Sequence, residues 1–397
     1  RLSREKKNSR KARGSNEHKV ANVLAISCSL AMLTKVVVFI LFLLSVSLCG
    51  TSWQSYDAIY NFGDSISDTG NLCTGGCPSW LTMGQPPYGT SYFGRPTGRC
   101  SDGRVVVDFL AQFFRLPLLP PSKSKTNGTD FRKGANMAII GATAMNLDFF
   151  QSHGLGSSIW NNGPLDTQIQ WFLQLMPSIC GGAGDCRSHL SKSLFILGEF
   201  GGNDYNAAIF GGKSLDEVYT YVPHIINKVT SGVETLIGLG AVDVVVPGVL
   251  PIGCFPLYLT LYGSSNQSDY DGDGCLRRFN DLSGYHNRLL RQGIGRLRSK
   301  YAGVRLMYGD FYTQVAEMVR SPRSFGLDYG LTVCCGASGQ GSYNYNNKAR
   351  CGMSGSSACK DPQNYLNWDG IRLTEHAYRS IAYGWLTGPY CVPAILH

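Results

Sequence analysis

From residue 55 onward the chain alternates short, mostly apolar runs with longer stretches in which apolar residues recur every three or four positions. Short apolar runs bounded by turn formers suit buried strands, whereas the longer period suits helices with one buried stripe. The clearest predicted strands are Ala58–Phe62, Leu194–Leu197, Val242–Val246 and Val304–Met307. Ser101 is expected to cap a helix carrying Val105, Val106, Phe109, Leu110 and Phe113, and further helices are predicted over 164–176, 215–238, 276–299 and 374–386. Strands separated by helix-length segments predict an α/β class, a three-layer αβα sandwich with a mainly parallel central sheet. The stretch from Ser321 to Gln363 is rich in Gly, Ser, Asn and Cys and lacks a helical period, so it reads as a long loop stapled by disulfides. No repeat or linker divides residues 55–393, which are expected to form a single domain.

Composition adds the compartment. Of 397 residues 43% are hydrophobic, enough for a large core, which excludes a disordered or collagen-like chain. Fourteen cysteines are many for a reduced cytosolic enzyme and point to an oxidising environment. The close neighbours Cys73/Cys77, Cys180/Cys186 and Cys351/Cys359 make local bridges plausible, although connectivity is not readable from spacing. Cys73-x-x-x-Cys77 has a zinc-like gap, but no paired Cys/His set accompanies it, so no metal is expected. Asp269, Asp271 and Asp273 begin like a calcium loop, yet the twelfth position is Asn280 instead of a bidentate Glu, and a solvated loop is expected there. The sequons at Asn127 and Asn266 fit glycosylation.

The net charge of +9 does not signal a nucleic-acid partner, because nine of the Lys and Arg residues lie in residues 1–35 and the remainder is close to neutral. Met32 to Lys35 precede an apolar run from Val36 to Cys49 and then Gly50-Thr51-Ser52, the order of a secretory signal. On this reading residues 32–50 are a signal peptide, and residues 1–31 are a basic extension outside the true product. The rival is a signal anchor over residues 21–50, with the basic tail held in the cytosol. The first predicts a secreted, cell-wall protein and the second a Golgi protein with a luminal domain; without such an anchor no stable membrane insertion is expected.

The chemistry begins where the first strand runs into Gly63-Asp64-Ser65-Ile66-Ser67, placing a serine at the carboxyl end of a strand, where open α/β sheets bind ligands. The stretch lacks the final Gly of the G-x-S-x-G elbow, which disfavours an α/β-hydrolase. Three later blocks join it in order: Gly134-Ala135-Asn136 to Gly141-Ala142-Thr143, Gly201-Gly202-Asn203-Asp204-Tyr205, and Trp368-Asp369-Gly370-Ile371. Together they make the chain resemble the plant GDSL esterase/lipase family of the SGNH hydrolase superfamily, over about residues 55–393. The resemblance implies a flavodoxin-like hydrolase fold, no cofactor, and an ester substrate: an acyl lipid, a small ester or an acetylated cell-wall polysaccharide. It implies Ser65 as nucleophile, Asp369 as the residue that orients the base, and the Ser65 N–H, the Gly141 N–H and the Asn203 amide as an oxyanion hole.

One position departs from the pattern. The family's Asp-x-x-His would put histidine at 372, and this chain has Arg372. A guanidinium stays protonated and has no acceptor, so it cannot take the serine's proton. Impaired activity is expected, or a pseudoenzyme that binds an acyl or carbohydrate ligand. His376 is the nearest histidine in sequence, but on a helix capped by Thr374 it points about 170° from Ala377, Ile381, Ala382 and Trp385, away from the core side. It is a poor candidate for a substitute base.

Overall fold

The computed structural model describes residues 55–396 except 125–127 and 161–162, so the readings of residues 1–50 and of Asn127 lie outside the described residues. Five parallel strands, β1 (Ala58–Phe62), β2 (Gly134–Asn136), β3 (Ser193–Leu197), β4 (Asp243–Pro247) and β5 (Arg305–Gly309), and an antiparallel edge strand, β6 (Cys391–Val392), form one sheet in the order β6-β5-β4-β3-β1-β2. Strands β1, β3 and β4 are buried throughout, as expected when both sheet faces are covered. Tyr60 packs between Phe172 and Phe195 with ring centroids at 5.1 and 5.4 Å, tying β1, β3 and a flanking helix together.

Seven helices matter for the site: α1 (Val106–Phe113), α2 (Leu165–Ile179), α3 (Gly202–Phe210), α4 (Leu215–Leu239), α5 (Arg277–Lys300), α6 (Phe311–Arg320) and α7 (Glu375–Thr387). Helix α4 packs against α2, α3 and α5 on one side of the sheet, while α7 packs against α1 and α6. The right-handed crossover rule puts α1 on the opposite face from α2, α4 and α5, because the chain moves from β1 to β2 at one edge and then back past β1 to β3 and on through β4 to β5 toward the other edge. The result is a three-layer α/β sandwich, as the hydrophobic pattern predicts. Contacts group residues from Ser55 to His397 as one unit. No helix among the described residues is long and apolar enough to cross a membrane.

Two local expectations are corrected. Ser101 does not cap α1: its hydroxyl donates to Leu373 O at 3.1 Å, and the helix instead begins after Val105, whose N–H donates to Asp108 Oδ2 at 2.9 Å. Tertiary pairing with the C-terminal segment has claimed the serine. Cys351 and Cys359 do not pair with each other; the bridges are Cys335–Cys351 and Cys334–Cys359, alongside Cys73–Cys77, Cys180–Cys186 and Cys254–Cys275. A short antiparallel pairing of Cys335–Gly336 with Ser357–Ala358 brings Cys334 beside Cys359, which leaves Cys351 for Cys335. The segment read as a long disulfide-stapled loop also contains Tyr329–Val333, a strand parallel to Tyr365–Asn367 that anchors the start of the Trp368–Arg372 turn.

Candidate active site

The carboxyl end of β1 delivers Ser65. Gly63 ends the strand at φ +152, and a Cβ there would stand 2.7 Å from Gly198 O and 2.8 Å from Ser67 Oγ, so the turn requires glycine. Gln168 of α2 grips Gly63 from both sides, accepting from its N–H at 2.9 Å and donating to its carbonyl at 2.8 Å. Beyond the serine, Asp68 accepts from the amides of Gly70 and Asn71 at 2.7 Å and of Ile140 at 2.9 Å, fastening the loop to the segment after β2.

Asn203 and Gly141 lie at the same end of the sheet. Asn203 opens α3, and its Nδ2 donates to Asp64 Oδ2 at 2.7 Å and to Ala142 O at 2.8 Å. Both amide hydrogens are therefore in use, and the Ser65 N–H also leans on the Asp64 carboxyl. Gly141, at φ +81, lines the cavity beside Asn203 and has no hydrogen-bond partner for its N–H among the described residues. Asp204 fixes the neighbouring turn by accepting from the amides of Ala144 at 2.9 Å and Met145 at 3.0 Å.

Buried carboxyls collect under this wall. Desolvation raises the Asp64 pKa to about 6 against the pull of the Ile66 amide, Arg372 and Asn203, and it raises Asp204 to about 7. Glu199, with the Gly202 amide as its hydrogen-bond donor at 2.8 Å, is pushed well above the usual range by burial and by the Asp64 charge.

The last block closes the site from the other side. Asp369 Oδ1 accepts from the amides of Ile371 and Arg372 at 3.1 and 2.9 Å, and Oδ2 accepts from Tyr88 at 2.9 Å and Arg372 Nη1 at 3.3 Å. Arg372 Nε donates to Ser65 Oγ at 3.2 Å. The guanidinium thus stands between the serine and the aspartate, 11% exposed. Burial works against its charge, but Asp369, with Cys100, Tyr88 and Asp64 behind it, holds its pKa above the ordinary arginine value. Among the described residues, no acceptor lies within hydrogen-bond reach to take the Ser65 proton.

A model of the GDSL-like lipase/acylhydrolase family matches residues 59–385. The chain belongs to this family. It is 42% identical over 358 residues to a GDSL esterase/lipase of Arabidopsis thaliana, covering 89% of this chain and 96% of the relative. It is 39% identical over 369 residues to the sinapine esterase of Brassica napus, covering 91% and 93%. The GDSL blocks read from the sequence are the segments that the fold gathers at the carboxyl ends of β1, β2 and β3 and in the turn before α7.

Four of the described histidines of this GDSL protein stand away from Ser65. His376 Nε2 is 2.9 Å from Phe325 O, and its ring lines a crevice with Asp102, Glu375 and Arg379 instead of the Ser65 cavity. His286 is fully buried, with Nδ1 2.7 Å from the Tyr205 hydroxyl, and desolvation lowers its pKa to about 3. His189 meets the Tyr60 hydroxyl, and His153 meets Phe149 O. Asp271 accepts from the amides of Asp273 and Cys275, and Asp273 pairs with Arg320 at 3.0 Å, so the acidic loop closes on its own partners.

Sequence reasoning missed Tyr88 and Gln168. Tyr88 lies 281 positions from Asp369, and Gln168 lies 105 from Gly63, with nothing local to mark either. It missed Arg350 and Tyr345 too, which line the cavity from within the disulfide-stapled segment.

Proposed function

We propose that this protein is a carboxylic ester hydrolase in construction, with Ser65 as the residue that would carry the acyl group, and that Arg372 holds its turnover far below what the scaffold permits. The supporting observation is the Arg372 Nε bond to Ser65 Oγ: a permanent donor points at the hydroxyl whose proton a base would have to remove. In the acyl-transfer step the serine oxygen attacks the ester carbonyl, the oxyanion falls to the Gly141 N–H, and it must draw the Ser65 N–H and the Asn203 amide away from Asp64. Asp369 would orient and stabilise an imidazole at 372, the part it retains here without its partner.

The substrate is an ester: an acyl lipid or a small ester, as the relatives' names of lipase and sinapine esterase suggest, or an acetylated polysaccharide, as the family resemblance implies. The five disulfides among the described residues support a product of the secretory pathway, secreted to the cell wall or held in the Golgi by residues 21–50. Asn266 is exposed and is the described glycosylation candidate, its partner sequon being Asn127; a mass loss on treatment with an amidase specific for N-glycans checks both.

The deciding assay is hydrolysis of a short-chain p-nitrophenyl ester by the parent, Arg372→His, and Arg372→His/Ser65→Ala. Loss of a triad histidine costs on the order of 10⁶ in kcat in the subtilisin example, so a rescue of at least about 10³-fold is expected, abolished with Ser65. A parent as active as Arg372→His would refute impairment, and an inert Arg372→His would leave the chain a ligand-binding descendant of the family.

A further inference from the structure

The cavity beside Arg372 has a volume of about 450 Å³, within the size range of small-molecule sites. Its lining is apolar at Ile159, Phe210, Leu257, Leu261 and Tyr262, with Phe210 and Tyr262 stacked within 7° of parallel. The same lining carries the polar groups Arg372, Arg350, Asn347 and the Gly141 backbone.

The polar part of this lining has a surplus of donors. Asp369 already accepts four hydrogen bonds, and Arg372 contributes only Nε and Nη1 to the protein, leaving Nη2 without a partner among the described residues. Arg350 is exposed and has no acidic partner among them, and the Gly141 N–H is likewise unmatched. An apolar groove ending in unused guanidinium and amide donors fits an amphiphile with an anionic head. Planar guanidinium geometry matches a carboxylate, and the nearby Asp64 and Asp369 charges favour a monoanion over a dianion.

We infer that this cavity binds a free carboxylate amphiphile, its carboxylate on Arg372, Arg350 and the Gly141 N–H and its chain against Phe210, Leu257 and Tyr262. A neutral ester would leave these donors less well matched, so the replacement at 372 turns the preference of the cleft from an ester toward an acid. The inference shares the cleft with the proposed function but does not require Ser65 to react.

Calorimetric titration of the full chain with octanoate, 1-octanol and octyl phosphate tests it. Octanoate should bind about tenfold or more tightly than 1-octanol, as expected for a charge-assisted contact, and more tightly than octyl phosphate. Arg350→Gln, an exposed change that spares the core, should weaken octanoate severalfold and leave 1-octanol unchanged. Arg372→Gln, checked for folding by its thermal transition, should remove most of the preference. Equal affinity for octanoate and 1-octanol, or tighter binding of octyl phosphate, would overturn the assignment. The two readings separate cleanly. An inactive Arg372→His with acid preference intact in the parent defeats only the hydrolase reading, and an active Arg372→His with no acid preference in the parent defeats only this one.

Discussion

Two loops meet at Ser65, and they are held in opposite ways. In the loop from Gly63 to Asn71 the side chains that shape the backbone also touch the chemistry: Asp64 binds the Ile66 amide and Asn203, and Asp68 ties the loop to Ile140. In the turn from Trp368 to Leu373 the frame closes without the side chain of residue 372. Asp369 takes two amides, the Trp368 N–H donates to Arg372 O at 2.8 Å, and Asn367 bridges to Leu373. Under the proposed function, the difference is how a base can be absent at 372 while the turn keeps its frame. Folding constrains the first loop residue by residue, whereas the second loop closes on its backbone and on Asp369, and the side chain at 372 adds only its bonds to Ser65 and Asp369.

The sharpest way to break this comparison is to ask whether Asp369 is frame alone. In the Arg372→His background, Asp369→Asn keeps an Oδ1 acceptor for the two amides but loses the charge opposite the imidazole. A kcat drop of about 10⁴ is expected, by analogy with the triad aspartate. A drop under about tenfold, with an unchanged thermal transition, would reduce Asp369 to a structural residue.

Stability should show the converse. Asp68→Ala strands the amides of Gly70, Asn71 and Ile140 in a buried loop and should cost on the order of 3 kcal/mol or more in urea unfolding. Arg372→Gln should stay within about 1 kcal/mol, because Asp369 keeps Tyr88 and two amides. Finding the two costs equal would mean that the second loop is as coupled to folding as the first.

The same contrast explains what was legible. The long elements announced themselves because each carries its own period: 215–238 predicted, Leu215–Leu239 found. β2 did not, being three residues of Gly-Ala-Asn whose strand character comes wholly from pairing with Ile59, Tyr60 and Asn61. Ser65, Asn203 and Asp369 sit in contiguous blocks that carry their own context. Tyr88, Gln168 and Arg350 reach the site by tertiary folding alone. The unused donors of the cavity lining, and the Asp64 claim on Asn203, are properties of geometry that no block of residues records.

The smallest effect expected is a pH slope, and it belongs to the first region. Glu199 and Asp204 have pKa values raised by burial, so the native state holds protons that the unfolded chain gives up near pH 4. Their contribution is greatest below the unfolded carboxyl pKa and declines as pH rises through the native values, about 7 for Asp204. His286 runs the other way: its native pKa of about 3 lies below the unfolded value, so its contribution is complete above about pH 6.5 and is lost as pH falls toward 3. The two slopes oppose each other between about pH 4 and 6.5, but above that window His286 is silent and only the raised carboxyls titrate. The urea midpoint should therefore fall between pH 6.5 and pH 8, and Glu199→Gln, which cannot ionise, should flatten that fall. A midpoint that stays flat over the same interval would mean that these carboxyls are already ionised in the native protein. The wall behind Ser65 would then carry full negative charge beside the cavity, and the preference for a carboxylate over a neutral ligand would have to come from Arg350 and Arg372 against that field.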